Sequence, residues 1–386
     1  MSLATFMILS TSPKSVGDVA VIYQDSVLYN FVLSKLYDHD LDTAERTVRA
    51  AITRDSLDPK PYFFMTFIQW WRVVGGNYSE SNTAAFLEAA RQSVDVDRDR
   101  LDGREDDVEA QFFLGATYGY LARYYMLSNS LLDAYKFGRK SKNIFDEFVK
   151  TNDTLYDACL AMGTYNCHAG SLPSLLRILV SVAGLGGDSR LGIQQLRLAA
   201  DSRCYARVEA LSTLGYVNLE LQKNYRQAIE IFEGLSERYD SNPVFKFLLA
   251  NSYRMPGQPG KTVSVCLRCL GDSAVRYVSD NQRAGIRAEL AYCYMLGKNY
   301  EQATRQYRLC CSMASDDLLK ESPWICYNAG LCEENVHHYM NAEAYYHKVL
   351  NCEDYFDYHS LARKALERLE REVLSGQSRV DNHLPP

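Results

Sequence analysis

The feature of this sequence that most restricts its fold is a repeat in its second half. In each copy, a first segment carries a large apolar residue followed directly by a small one, and a second segment carries a small residue and an aromatic residue four positions later. The clearest copy has Leu290 and Ala291, then Ala303 and Tyr307. A spacing of four puts the last two on one face of a helix. The pattern therefore predicts antiparallel helix pairs.

Three further copies share the pattern, although one of them has threonine and cysteine in its second segment and another has alanine in place of the large apolar residue. They comprise Leu214, Gly215, Ala228 and Phe232; Leu249, Ala250, Thr262 and Cys266; and Ala329, Gly330, Ala342 and Tyr346. The small residues of the second segments are separated by 34, 41 and 39 residues. The first spacing is the period of the tetratricopeptide repeat (TPR), and the longer ones require longer loops. Because one pair cannot bury its own apolar face, the copies predict a stack with a continuous core.

Weaker copies precede these. Leu114 and Gly115 predict a first helix whose partner lies around Ala134 and Phe137, and residues 157–170 predict another first helix. Nearer the start, Ala44, Val48 and Ala51 indicate a second helix that ends before Pro59 and Pro61. The charge-dense run at residues 95–107 predicts a solvated loop or helix start.

The predicted fold is all-α, a right-handed α-solenoid of TPR-like antiparallel helix pairs with an apolar helix inserted near residues 171–187. A C-terminal helix is expected to cap the stack with a polar outer face. The expected segments are 1–16, an apolar start; 17–108, degenerate repeats; 109–205, divergent repeats; 206–355, clear repeats; 356–375, the capping helix; and 376–386, a disordered tail.

Two apolar segments leave a membrane role open. Residues 171–183 (SLPSLLRILVSVA) form an apolar stretch that is too short to cross a bilayer, which takes about 20 residues. We expect a buried helix or an amphipathic lid there. The apolar start within residues 1–16 is similar to the end of a secretory signal but lacks a basic region before it.

Residues around the second apolar segment carry a family resemblance. They are Tyr165 to Gly170, the Leu172-Pro173 pair, Gly187, Asp188, Gly192 and the repeat at residues 206–218. In these features the chain resembles uncharacterised bacterial TPR proteins and the eukaryotic TPR family that includes a fungal inclusion-body clearance protein. The resemblance covers about residues 110–350 and implies a TPR fold, but it says little about function and carries over no catalytic residues. The cysteine-rich C-terminal third departs from the family pattern.

Charge and cysteine content restrict partner and compartment. The net charge of −6 provides no global positive field for phosphate backbones, so nucleic acid is not an expected partner. Eleven cysteines in a long chain do not form a small-domain disulfide framework. They favour a reducing compartment such as the cytoplasm, whereas export follows if the apolar start is a signal remnant.

The motifs of enzymes and metal sites are incomplete in this chain. Cys266 and Cys269 form a single CxxC pair, while structural zinc usually requires two such pairs. The glycines at residues 184, 186 and 187 are not followed by the Gly-Lys-Ser/Thr of a phosphate loop. The sequence therefore predicts neither an enzyme nor a bound metal or cofactor.

Aromatic and polar side chains on the predicted first helices are the candidate binding residues. In a TPR stack these helices line the concave face, and residues outside their core stripe face the groove. The candidates are Tyr120, Tyr216, Asn251, Arg254, Tyr292, Trp324 and Tyr327. They predict a non-catalytic scaffold that holds a protein or peptide. The alternatives are a membrane-associated or exported assembly factor and a metal- or thiol-dependent enzyme, and the oligomeric state stays open.

Overall fold

A computed structural model describes residues 20–75, 80–128, 130–151, 155–171, 186–271, 279–352, 354 and 357–381. Within these residues every regular element is helical, which confirms the predicted all-α fold. The apolar start and most of the predicted apolar insertion lie outside the described residues. The chain forms two compact units.

The first unit comprises Met1–Leu36, Asp40–Trp71 and Thr83–Val217. A short 3-10 helix, Val21–Tyr23, precedes its α-helices. The helices that lie wholly or mainly in this unit are α1 (Ser26–Tyr37), α2 (Leu41–Arg54), α3 (Pro59–Val74), α4 (Glu80–Gly103), α5 (Val108–Leu127), α6 (Leu131–Thr151), α7 (Ala158–Gly170), α8 (Ser189–Asp201) and α9 (Arg207–Tyr216).

The second unit comprises Tyr37–His39, Arg72–Asn82 and Asn218–Pro386. Its helices are α10 (Tyr225–Arg238), α11 (Pro243–Arg254), α12 (Pro259–Gly271), α13 (Asp280–Leu296), α14 (Tyr300–Met313), α15 (Asp316–Glu321), α16 (Pro323–Asn335), α17 (Tyr339–Leu350) and α18 (Tyr358–Asp381). Each helix packs against the next one of the stack, apart from the short α15, and α11, α13, α16 and α18 also contact one another in turn. This is the packing of a TPR-like solenoid.

The repeated small and aromatic residues form the core of the second unit. Ala303 and Tyr307 on α14 are buried, as are Ala342 and Tyr346 on α17. A Cβ on Gly330 of α16 would lie 2.6 Å from Cε1 of Tyr346, so only glycine permits this approach. The small residue of one helix and the aromatic side chain of the next therefore touch directly where the two helices pack.

The turns of the second unit repeat as well. Lys298 has a φ of 59°, and Asn299 next to it caps α14 by accepting a hydrogen bond from the backbone N–H of Gln302. Lys223 and Asn224 form the same turn before α10, with a φ of 54° at the lysine. Asparagine is favoured at such positions because its side chain satisfies a free N–H of the first helical turn.

Contacts distant in sequence organise the first unit. Tyr23 donates a hydrogen bond to Asp157, which lies 134 residues away in the sequence. Its neighbour in the 3-10 helix, Ile22, belongs to the hydrophobic core. Helices α7 and α8 approach through glycines: a Cβ on Gly192 would lie 2.7 Å from the backbone N of Cys167. The two helices can approach this closely only if residue 192 has no side chain, so the position requires glycine.

Two sequence-based predictions about element boundaries need correction. Residues 95–103 form the end of α4, and Asp97 and Asp107 are buried, so the 95–107 run is not a solvated loop. The helix Leu41–Arg54 ends before Pro59, and Pro59 starts α3 because proline fits a first helical turn. The last helix reaches Asp381, beyond the expected end at residue 375.

Candidate functional site

Half-buried side chains follow the first helices of the second unit. We call this set the first-helix strip; it consists of Asn251, Arg254, Tyr292, Trp324, Tyr327 and Tyr358. The strip extends over α11, α13, α16 and α18, which contact one another in that order. A surface of this kind offers aromatic area together with hydrogen-bonding groups, the composition favoured where proteins grip other chains.

Arg254 is fixed at one end of the strip by a buried acid. Its Nε lies 2.7 Å from Oε2 of Glu289, and its guanidinium lies over the ring of Tyr292 with 5.4 Å to the centroid. Burial raises the pKa of Glu289, and the charge of Arg254 opposes that rise. The ion pair and the aromatic ring hold the guanidinium in place, so its remaining donors present a preorganised group.

Aromatic rings extend the strip. Tyr292 and Trp324 meet edge to face with 6.4 Å between their centroids. Tyr327 contacts Tyr358 at 5.6 Å and the core residue Tyr346 at 5.8 Å. Burial raises the pKa of both Tyr327 and Tyr358, so both hydroxyls are neutral at physiological pH and can donate hydrogen bonds.

Asn251 supplies a polar group one helical turn from Arg254. Its Oδ1 is buried, and in the described part of the chain no group donates a hydrogen bond to it. A buried acceptor that lacks a donor is energetically unfavourable. A bound peptide could satisfy it with a backbone N–H, which is the role the sequence predicted for this side chain.

Two candidates from the sequence lie outside the strip, both in the first unit. Tyr120 is only 6% exposed, because its ring packs against Phe67 and Trp70 in the core, and so it is not a surface groove residue. Tyr216 is 42% exposed at the end of α9. The positional rule places residues on a helix face, but the packing around each helix decides whether that face is open.

Sequence reasoning missed Glu289 and Tyr358. Glu289 directly precedes the Leu290-Ala291 core pair, and the corresponding position before Ala329 and Gly330 on α16 is the buried Asn328. The other copies of the repeat have no glutamate directly before the core pair, so the repeat pattern gave no signal for Glu289. Tyr358 lies at the start of the last helix, where no repeat pattern marked it.

The cysteines are free thiols. Cys266 and Cys269 are buried, and burial raises the pKa of Cys266 well above its ordinary value. Hydrogen bonds from Cys310 and Cys326 lower the pKa of Cys311, the most acidic thiol of this group. In the described residues no cluster of three or more histidine, cysteine or acidic side chains has the arrangement of a metal site.

No helix in the described ranges is both long enough and apolar enough to span a membrane.

No protein-family model matches this chain, and no curated protein matches it. Solved helical-repeat structures do match. Human IFIT1, in a dimer with m7Gppp-AAAA, is 11% identical with a TM-score of 0.52, over 91% of this chain and 86% of that one. Yeast Tom70 is 10% identical with a TM-score of 0.46, over 92% and 83%. A TPR protein from Parabacteroides merdae is 14% identical with a TM-score of 0.37, over 79% and 98%.

At such identities the likeness to IFIT1 concerns the fold alone. The repeat in the sequence, the helix pairing in the second unit and this likeness agree on the class of protein: the chain has a TPR-like helical-repeat fold. Such folds commonly serve as scaffolds with extended binding surfaces.

Proposed function

We propose that this protein is a non-catalytic scaffold that binds an extended segment of another polypeptide along the first-helix strip. The observation that carries the proposal is the continuous series of contacts from Arg254 through Tyr292 to Trp324, beside the unsatisfied Oδ1 of Asn251. A peptide backbone provides the N–H groups that Asn251 lacks, and its side chains can pack on the rings.

The charges of the strip favour a peptide with an acidic or polar residue near Arg254. The Arg254 guanidinium is the cation of the strip, and Glu289 holds only part of it. A carboxylate of the partner can bind the remaining N–H groups, because guanidinium donors match carboxylate oxygens in geometry. Aromatic or aliphatic residues of the partner then pack on Tyr292 and Trp324.

The IFIT1 structure contains a short RNA, so RNA is a second class of partner to consider. We propose that this chain does not bind short RNA. The protein has a net charge of −6, and Arg254 is already paired with an acid. Phosphate binding depends on clustered basic side chains. A fluorescently labelled PPP-AAAA oligonucleotide should therefore show no saturable binding at physiological salt. Saturable binding that Arg254→Ala abolishes would overturn the peptide proposal in favour of RNA.

The direct test is selection of binding peptides. A random peptide library displayed on phage is selected against the full chain, and the enriched peptides are synthesised and titrated by fluorescence polarisation. We expect Tyr292→Ala and Trp324→Ala to weaken binding roughly tenfold or more, because truncating a central aromatic anchor typically costs about 2 kcal/mol. Asn251→Ala should have a smaller effect.

Exposed apolar residues on second helices supply the matched controls. Leu309→Ala on α14 and Met340→Ala on α17 remove comparable apolar side chains from the same unit but outside the strip. Both should leave peptide affinity unchanged. If the selection enriches no peptide, or if the strip and control variants bind the peptides equally, the strip is not the binding surface.

The enzyme alternative depends on Cys311, whose pKa the neighbouring thiols lower. A scaffold predicts that Cys311→Ser leaves peptide affinity unchanged. The protein should also show no turnover of thiol-dependent model substrates such as hydroperoxides or disulfides. Turnover that Cys311→Ser abolishes would instead support catalysis.

A further inference from the structure

The first unit contains a cavity of about 510 Å³, a volume within the range of small-molecule sites. Aromatic side chains of α3 and α5 form much of its wall, and small residues of α5, α6 and α7 leave the space open. The wall includes Phe63, Phe67, Phe113, Ala116, Gly138 and Ala161. The first-helix strip belongs to the other unit, so this site is argued independently of the proposed function.

The rim of the cavity is also apolar. Met126 and Leu131 line it and are 41% and 69% exposed. Large apolar side chains exposed beside an apolar cavity are typical of an entrance for an apolar ligand. The lining thus selects for a molecule with a hydrocarbon or aromatic body.

A buried carboxylate gives the cavity its polar specificity. Glu209 lines the cavity and is 3% exposed. Its Oε1 accepts a hydrogen bond of 2.6 Å from Nη1 of Arg123, but among the described residues no donor reaches its Oε2. Arg123 is itself held over the rings of Trp70 and Tyr120, at 5.0 and 5.3 Å from their centroids. A residue of the cavity lining thus carries a carboxylate oxygen without a donor, which a ligand in the cavity can supply.

A second polar group lies on the same wall. Asp157 accepts hydrogen bonds from the hydroxyl of Tyr23 and from the backbone N–H of Ala206, at 2.8 Å for the latter. The hydroxyl of Tyr205 is buried and has no hydrogen-bond partner in the described ranges. Arg123 is already paired with Glu209, and burial raises the pKa of Asp157, so the described lining offers an anion no uncompensated cation.

We propose that this cavity binds a small amphipathic molecule with an apolar body and a hydrogen-bond-donating head, a hydroxyl or an amine, which donates to Oε2 of Glu209. The apolar body would occupy the space between α3, α5, α6 and α7. A carboxylate head is disfavoured, because it would place a second negative charge beside Glu209 without supplying a donor.

The test uses probes that differ only in their head group. Decan-1-ol, decylamine and decanoate are titrated against the full chain, and binding is measured by displacement of Nile red, a neutral apolar dye. We expect the alcohol and the amine to displace the dye at concentrations roughly tenfold or more below that of decanoate, a difference of about 1.4 kcal/mol. Equal or tighter binding of decanoate would overturn the proposal.

Glu209→Gln tests the head-group contact. It replaces an unsatisfied carboxylate oxygen with a neutral amide and should narrow the difference between decylamine and decanoate to about twofold or less. Glu289→Gln is the matched control, since Glu289 is a buried glutamate that pairs with an arginine in the second unit. It should leave the preference for donors unchanged. If both variants act alike, the selectivity does not arise at Glu209.

Filling the space tests the apolar body. Ala161→Leu places three more carbon atoms in the cavity and should abolish displacement by all three probes while the cooperative thermal unfolding is retained. Should that variant fail to fold, Ala116→Val, a smaller addition to the same wall, answers the question. Full probe binding by a folded cavity-filling variant would refute the site. A different result would overturn the proposal in favour of a polypeptide ligand: none of the three probes binds, and the cavity-filling variants weaken the binding of peptides selected against the chain.

Discussion

The two units of this protein build their cores in different ways. In the second unit, the contacts that recur connect helices adjacent in the stack, as where Gly330 of α16 admits the ring of Tyr346 on α17. In the first unit, segments distant in sequence meet: Tyr23 binds Asp157, and Lys60 of α3 donates hydrogen bonds to the carbonyls of Val21 and Gln24. The first unit also buries ion pairs and encloses a cavity.

The two units therefore differ in which interactions stabilise their folded structures. A repeat buries apolar area between neighbours, so its stability is close to a sum of local terms. The first unit instead depends on a few buried charges whose partners must all be present. We therefore expect single changes to have the largest effects where buried ions meet, intermediate effects at the small residues of the repeat, and negligible effects at exposed ion pairs.

The largest expected effect is the loss of a buried ion pair in the first unit. Lys60→Met removes the ammonium that lies 3.1 Å from Glu109, at a site where both side chains are almost fully buried. Glu109 would then keep only its 3.3 Å contact with Arg100, and this loss inside the core should lower the free energy of unfolding by about 3 kcal/mol. Urea unfolding monitored by circular dichroism measures the loss. Hydrogen exchange should also rise at residues 21–24, because Lys60 binds the carbonyls of Val21 and Gln24.

The double variant Lys60→Met/Glu109→Gln is the control for this prediction. It removes the buried carboxylate that has lost the Lys60 ammonium and should recover part of the lost stability. A single variant as stable as the natural protein would mean that the ion pair does not hold the first unit together, and the contrast between the units would fail.

The next effect is expected in the repeat. Gly330→Ala places a Cβ 2.6 Å from the Tyr346 ring, and this overpacking should cost about 1–3 kcal/mol. Gly285→Ala in α13 is the matched control, because a Cβ there meets nothing within 4 Å. The control should stabilise the protein by up to about 1 kcal/mol through helix propensity. Equal effects of the two changes, measured by thermal unfolding, would show that the small residue is not required by the contact.

A smaller effect should show that the buried charges of the first unit also carry a cost. Asp97 is fully buried, and burial raises its pKa well above the ordinary value. Asp97→Asn should therefore stabilise the protein by about 1 kcal/mol or more at pH 7. At that pH the natural carboxyl must either stay ionised in a buried site or take up a proton on folding, and both cost free energy.

The pH dependence fixes the sign of this effect. The folded pKa of Asp97 lies above its unfolded value of about 3.9, so the natural protein loses stability as the pH rises from that value towards the folded pKa. The advantage of Asp97→Asn should thus vanish below about pH 4. Urea unfolding of both proteins from pH 3 to pH 8 tests it, and an advantage that does not change with pH would show that ionisation is not the cause.

The smallest effect should come from exposed ion pairs of the second unit. Arg226→Ala breaks a contact of 3.1 Å with Glu230, where both side chains are largely exposed. The change in unfolding free energy should stay within about 0.5 kcal/mol. A larger loss of unfolding free energy, measured by urea unfolding, would mean that surface ion pairs stabilise the repeat as much as packing does.

The sequence was most informative where a structural requirement is local. The positions of Ala303 and Tyr307 follow from helical periodicity, and both are buried as predicted. The run at residues 95–107 was misjudged because its charges suggested exposure. Instead Arg100 contacts both Asp107 and Glu109, at 2.7 and 3.3 Å, and so brings charged groups into the interior. No periodicity reveals which charges will meet.

The candidate site divides in the same way. The rule that selected Tyr292 and Arg254 depends only on their places in the repeat, and the two side chains do lie in contact. The same rule selected Tyr120, whose surroundings are set by Phe67 and Trp70 of another helix pair. Burial by a neighbouring element cannot be inferred from a pattern within one helix.

The sequence by itself therefore determined the class of fold, the helix pairs and the face of each first helix, because helical periodicity and the steric need for small residues act within a few turns. Only the tertiary structure decided which buried acids have partners, that Arg254 rests on Glu289, and that α3, α5, α6 and α7 leave a cavity beside Glu209. These features arise from contacts between distant segments, whose approach depends on the packing of the whole unit.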